Sequence, residues 1–80
     1  MKNTEYVLQE IGKKLAQIRI ENKQTLDDVE FLSGIDSSDI HKYEQGKINL
    51  TIRTLINLSL ALKVHPKKLF DFTFEIEQES

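Results

Sequence analysis

Between Tyr6 and Asn22 the apolar residues Val7, Ile11, Leu15 and Ile18 return at steps of four, four and three, a spacing that lines them along one face of an α-helix. Lys13, Lys14 and Glu21 fall off that face and read as solvated. The pattern breaks at Asn22, Lys23 and Gln24. Thr25, with Asp28 three residues on, is then an acidic variant of the capping box that opens a helix. This second helix is short, because Leu26, Val29 and Leu32 repeat only as far as Ser33 and Gly34, where glycine suits the left-handed residue that closes a helix. Asp36, with Asp39 in the capping-box position, predicts a third helix that buries Ile40 and Tyr43 and ends at Gln45 and Gly46.

Lys47 to Leu50 read as a connector, and Thr51 caps a fourth helix that runs through Leu62. Its apolar residues Ile52, Leu55, Ile56, Leu58, Ala61 and Leu62 cover more than half the circumference, so contacts on two sides are expected. His65 and Pro66 open a short fifth helix anchored by Leu69 and Phe70, with proline in the first-turn position it tolerates best. Beyond it Phe70, Phe72, Phe74 and Ile76 alternate with Asp71, Thr73, Glu75 and Glu77, which is the period of a strand. Two readings of this acidic tail, 71–80, stand side by side. It is a frayed end, or it is a short β-strand in which Phe72, Phe74 and Ile76 pair with their copies across a two-fold axis.

Eighty residues make one domain with a small core, and the absence of cysteine removes both disulfide staples and thiolate metal sites, so help from a second subunit is expected. No apolar run approaches the ~20 residues of a membrane span, and the start lacks a basic-then-apolar signal segment, so the expected compartment is the cytoplasm, with no membrane partner. The formal net charge of -2 argues mildly against a general polyanion binder, but the charge is segregated. Residues 1–24 sum to +2, residues 25–46 to -5, residues 47–69 to +5 and residues 70–80 to -4. Two basic segments therefore flank an acidic middle.

Two short helices joined by a glycine-containing turn are the sequence form of a helix-turn-helix, here residues 25–46, with Val29, Ile35 and Ile40 meeting in the wedge between the helices and Gly34 giving the bend. Arg19, the Gly34-Ile35 turn, the run Tyr43-Glu44-Gln45-Gly46-Lys47 and the closure from Ala61-Leu62-Lys63-Val64 to Leu69-Phe70 together resemble the Cro/C1-type (XRE family) helix-turn-helix, over about Ile11 to Phe70. The resemblance implies an all-α, five-helix domain over 1–70, a repressor-type transcriptional role and a homodimer. The Asn49-Leu50-Thr51-Ile52 connector and the length also resemble the controller proteins of restriction–modification systems.

Carried over residue by residue, the resemblance puts base-reading positions on Ser37, Ser38, His41 and Lys42, and phosphate-contacting positions on Gln45, Lys47 and Asn49, with Arg53 a plausible addition. Serine can donate to or accept from base edges and lysine suits guanine O6 and N7, whereas phosphate contacts position the domain without reading sequence. The resemblance also pairs Arg19 with Glu44 and implies double-stranded DNA with a pseudo-palindromic operator as the partner. Three residues depart from the family pattern. Leu26 replaces a glutamine that touches the DNA backbone, Glu30 replaces a small alanine and must either splay the helices slightly or find a partner such as Lys42 or His41, and Asp39 adds a negative charge to the recognition helix unless it is turned back to cap Asp36. Leu26, Phe31, Glu30 and the acidic tail leave a rival: a helix-turn-helix scaffold that acts as a protein-interaction or antitoxin-like module. His41 and His65 share no ligand spacing, and no nucleophile motif occurs, so neither a metal, a cofactor nor an enzyme is expected.

Overall fold

The apolar repeat of the N-terminal segment folds as α1 (Lys2–Glu21), which begins at Lys2 rather than at Tyr6. The computed structural model describes residues 2–73. After α1 come α2 (Leu26–Ser33), α3 (Ser37–Glu44) and α4 (Ile52–Ala61), followed by a 3-10 helix at Pro66–Phe70. Four α-helices and a 3-10 turn therefore replace the expected five helices. The last segment is only five residues long, and its closing bonds, from the Lys68 amide to the His65 carbonyl (3.0 Å) and from the Asp71 amide to the Lys68 carbonyl (3.4 Å), span three residues rather than four. The His65 side chain caps it, with Nδ1 accepting from the Lys67 amide at 3.1 Å.

Every one of these elements contributes to a single buried cluster. Ile11 and Leu15 come from α1, Val29 from α2, Ile40 from α3, Leu55, Leu58 and Ala61 from α4, Leu62 from its C-cap, and Leu69 from the 3-10 helix. α1 packs on α3 and on the 3-10 helix, while α2 packs on α3 and α4. Val7 and Ile18 flank the cluster half-buried, so the period read from the sequence is the buried stripe of α1. Leu32, by contrast, is exposed.

The helix ends are tied to one another by side-chain amides. Lys23 (φ 58°) and Lys63 (φ 61°) take the left-handed conformation that terminates α1 and α4. Beside them, Asn22 Nδ2 donates to the Leu62 carbonyl (2.8 Å) and Gln24 Nε2 to the Ala61 carbonyl (3.2 Å), satisfying acceptors that the end of α4 would otherwise leave open.

The start of the tail departs from the strand reading. Among the described residues there is no strand: Phe70 closes the 3-10 helix and Phe72 lies in a bend. Phe72 packs edge-to-face on Tyr6 of α1 (ring centroids 6.5 Å apart, 74°) and stacks on Phe70 (6.4 Å, 25°), and the Tyr6 hydroxyl donates to the Thr73 carbonyl (3.4 Å). The aromatic spacing here serves packing against α1 instead of strand pairing. Phe74 and Ile76 lie outside the described residues. No helix among the described residues is long and apolar enough to cross a membrane.

Gly12 sets how closely α1 approaches α3. A Cβ at this position would sit 2.5 Å from the carbonyl oxygens of both Tyr43 and Glu44, backbone atoms that cannot rotate aside. Glycine inside a helix costs about 1 kcal/mol relative to alanine, whereas overpacking of this kind costs about 3 kcal/mol at the upper end of its usual range. Gly12→Ala is therefore expected to destabilise by a net ~2 kcal/mol in urea unfolding. A midpoint equal to or above the wild type would mean that α1 and α3 have room between them.

Candidate nucleic-acid interface

The α2–turn–α3 unit is built from short-range chemistry. Thr25 Oγ1 accepts from the Asp28 amide (3.0 Å) and Asp28 Oδ2 accepts from the Thr25 amide (2.8 Å), which completes the capping box of α2. At the other end Gly34 takes φ +76°, its amide bonded to the Glu30 carbonyl at 2.8 Å, and the chain turns through Ile35 into α3. Ile35 packs half-buried against the core, beside buried Val29 and Ile40. From α4, Asn57 Nδ2 donates to the Ser33 carbonyl at 2.9 Å and holds the end of α2.

α3 does not start with the expected reciprocal box. Asp36 stands at the N-cap but its side chain makes no capping bond, so the Asp36–Asp39 box is absent. Instead Glu30 Oε2, reaching across from α2, accepts from the Ser37 amide at 3.3 Å. Glu30 thus bonds a backbone donor of α3 rather than Lys42 or His41. Its long side chain spans the inter-helix gap, where the carboxylate meets the positive end of the α3 dipole.

With its start held in this way, α3 turns Ile40 into the core, keeps Ser37, Tyr43 and Glu44 partly buried, and exposes Ser38, His41, Lys42 and Gln45. These four residues recur at three, one and three, so they share one outward face. Lys47 and Asn49 are exposed just beyond, with the Lys47 amide bonded to the Lys42 carbonyl at 3.0 Å, which folds the connector back onto the end of α3. Arg53 is exposed in the first turn of α4, a turn fixed by the Thr51 cap on the Thr54 amide (3.1 Å). Lys42, Lys47 and Arg53 enter no ion pair among the described residues, so their charges face solvent. Of the eight expected contact positions, Ser37 alone is turned partly inward.

Beneath this face lies a close ion pair. Arg19 Nε donates to Glu44 Oε2 at 2.7 Å and a terminal nitrogen donates to Glu44 Oε1 at 3.2 Å, while the other terminal nitrogen donates to the Gln24 carbonyl at 3.0 Å. The two side chains are only 16% and 8% exposed. The guanidinium therefore ties the end of α3 to both α1 and the loop before α2, and the fork geometry fixes orientation as well as distance.

Sequence reasoning missed Glu30 as a cap and Asn57 and Gly12 as spacers of the unit. A glycine in the middle of a strongly periodic helix is a legible signal of close backbone approach. The partners of Glu30 and Asn57 are backbone groups on other helices, which no local pattern announces.

A family model described as a helix-turn-helix domain matches residues 12–72. None of the curated proteins compared matches the sequence. Among solved structures, the restriction-modification controller protein C.AhdI from Aeromonas hydrophila is 30% identical with a TM-score of 0.76, over 79% of this chain and 96% of that one. The controller protein C.Esp1396I, solved as a tetramer with its natural 35 base-pair operator, is 27% identical with a TM-score of 0.76, over 82% of this chain and 87% of that one. The fold is that of DNA-binding regulators, and the chain belongs to the XRE-type helix-turn-helix domain family.

Proposed function

We propose that this chain is a sequence-specific, repressor-type transcription regulator of a bacterium or phage, cytoplasmic and homodimeric, that places α3 in the major groove of a pseudo-palindromic operator. The observation that carries this reading is the exposed row Ser38, His41, Lys42 and Gln45, continued by Lys47 and Asn49, with cations that no carboxylate of the described chain neutralises. Ser37, Ser38, His41 and Lys42 read bases, and Gln45, Lys47, Asn49 and Arg53 hold phosphates. Half-sites then lie about one helical turn apart, roughly 34 Å. That a similar controller protein is solved in complex with its operator supports DNA as the partner.

Self-association is supported by α4. Ile52, Ile56 and Leu60, spaced by four, are 69%, 44% and 70% exposed and form an apolar stripe on the side away from the core. Arg53 borders that stripe. Phe74 and Ile76 of the tail join it as candidate dimer contacts, whereas Phe72 is engaged with Tyr6 and Phe70 of its own chain.

Substitution separates the two kinds of DNA contact. Lys42→Ala should cost ~1–3 kcal/mol on a selected operator and relax the preference at one base pair, whereas Lys47→Ala should weaken all duplexes alike and flatten the salt dependence. Fluorescence anisotropy on operator and mixed-sequence duplexes measures both, and equal losses on the two duplexes for both variants would remove Lys42 from base reading.

One observation favours a second reading, a protein-interaction or antitoxin-like module: Phe31 on α2 is 88% exposed, next to Leu32 at 50%. The same titration decides, since binding through phosphates gives log affinity falling steeply with log salt, and no binding at ~50 mM salt would favour the interaction module.

A further inference from the structure

We propose that Glu30 is a positioning residue for DNA recognition, capping the recognition helix α3 from the neighbouring helix α2 and so setting the angle at which Ser38, His41 and Lys42 are presented. This deepens the DNA-binding reading and rests on it. The residue bridges both sides of the turn. Its backbone carbonyl accepts the Gly34 amide (2.8 Å) that closes α2, and its carboxylate accepts the Ser37 amide (3.3 Å) that opens α3. The residue expected to do the second task, Asp36, makes no side-chain capping bond. A helix held by a cap from its own chain neighbour is free to swing with the turn; one capped from the preceding helix is held at a fixed angle to it.

Charge and position act in opposite directions here, which makes the proposal decidable. A carboxylate beside a DNA-facing helix repels phosphate, so its removal by itself strengthens binding to every duplex. Loss of a helix cap frees the start of α3 and weakens only the contacts that need its orientation.

The test uses the full chain, a duplex selected from a random pool by the wild-type protein, and a mixed-sequence duplex. Glu30→Ala should bind the selected duplex about tenfold more weakly while holding or gaining affinity for the mixed one, because a typical cap is lost as a negative charge is removed. Glu30→Gln keeps an acceptor for the Ser37 amide while losing the charge, so it should bind the selected duplex at least as tightly as the wild type. Hydrogen exchange of the Ser37 amide, measured without DNA, should be slow in the wild type and in Glu30→Gln and fast in Glu30→Ala. The proposal is overturned by Glu30→Ala binding the selected duplex as tightly as the wild type, by Glu30→Gln falling as far as Glu30→Ala, or by equal Ser37 exchange in wild type and Glu30→Ala. If the wild type selects no duplex, the DNA-binding reading fails, and the cap still stands or falls on the exchange.

Discussion

Glu44→Ala is expected to remove about 3 kcal/mol of folding stability, because it leaves the Arg19 guanidinium in a largely water-excluded site without its counter-charge. Both hydrogen bonds to the carboxylate go, at 2.7 and 3.2 Å, and only the bond to the Gln24 carbonyl remains. For a domain of this size that loss corresponds to a fall in melting temperature of roughly 12–24 °C. It is also a large share of a total stability on the order of 4–12 kcal/mol for eighty residues. The exposed pair between Lys13 and Glu10, at 3.0 Å with the lysine 73% exposed, provides the contrast, and Lys13→Ala should change stability by less than about 1 kcal/mol. Replacing both buried partners with methionine, Arg19→Met with Glu44→Met, should cost less than the sum of the single changes, since no unpaired charge is left behind. Thermal unfolding followed by circular dichroism checks all of these, and a melting point for Glu44→Ala within a few degrees of wild type would mean that the pair is effectively solvated.

Ile56→Asp is expected to have the largest effect on binding. The residue is 44% exposed at the centre of the Ile52–Ile56–Leu60 stripe, so a charge there stays solvated in one folded chain and should cost its stability about 1 kcal/mol. In a dimer the same carboxylate would be buried against apolar side chains, which strongly opposes association. With two half-sites no longer read by one linked pair of domains, affinity for a selected operator should fall by at least about 100-fold. Sedimentation gives the mass and anisotropy gives the affinity. A mass unchanged from wild type would move the dimer contact away from α4, and removal of residues 71–80 would then be the next variant to examine.

Most of the fold is legible because it is local. The three-and-four spacing of Val7, Ile11, Leu15 and Ile18 needs only helix geometry to predict a buried stripe, and the Thr25–Asp28 box and the left-handed Gly34 are satisfied within one turn of chain. The same logic fails where a distant group competes. Asp36 and Asp39 carry the signature of a cap, yet Glu30 takes the amide from another helix. Phe70 and Phe72 carry the period of a strand, yet Tyr6, far away along the chain, offers an aromatic surface that a single unpaired strand lacks. Proline and a short span predict a final helix, and the five residues form the tighter 3-10 turn.

The candidate site divides along the same line. Residue types and spacing by themselves determined that this chain carries a helix-turn-helix and that an acidic total conceals a basic segment at 47–69, while the base-reading positions Ser37, Ser38, His41 and Lys42 came from the family resemblance. Periodicity and caps act within a few residues, and charge adds along the chain whatever the fold. Tertiary structure alone decided that Ser37 turns partly inward with its amide on Glu30, that Gly12 lies against the Tyr43 and Glu44 carbonyls with no room for a Cβ, and that Ile52, Ile56 and Leu60 are left outside the core. Each of these depends on which helix lies opposite and how closely it packs, and such contacts join residues far apart in sequence.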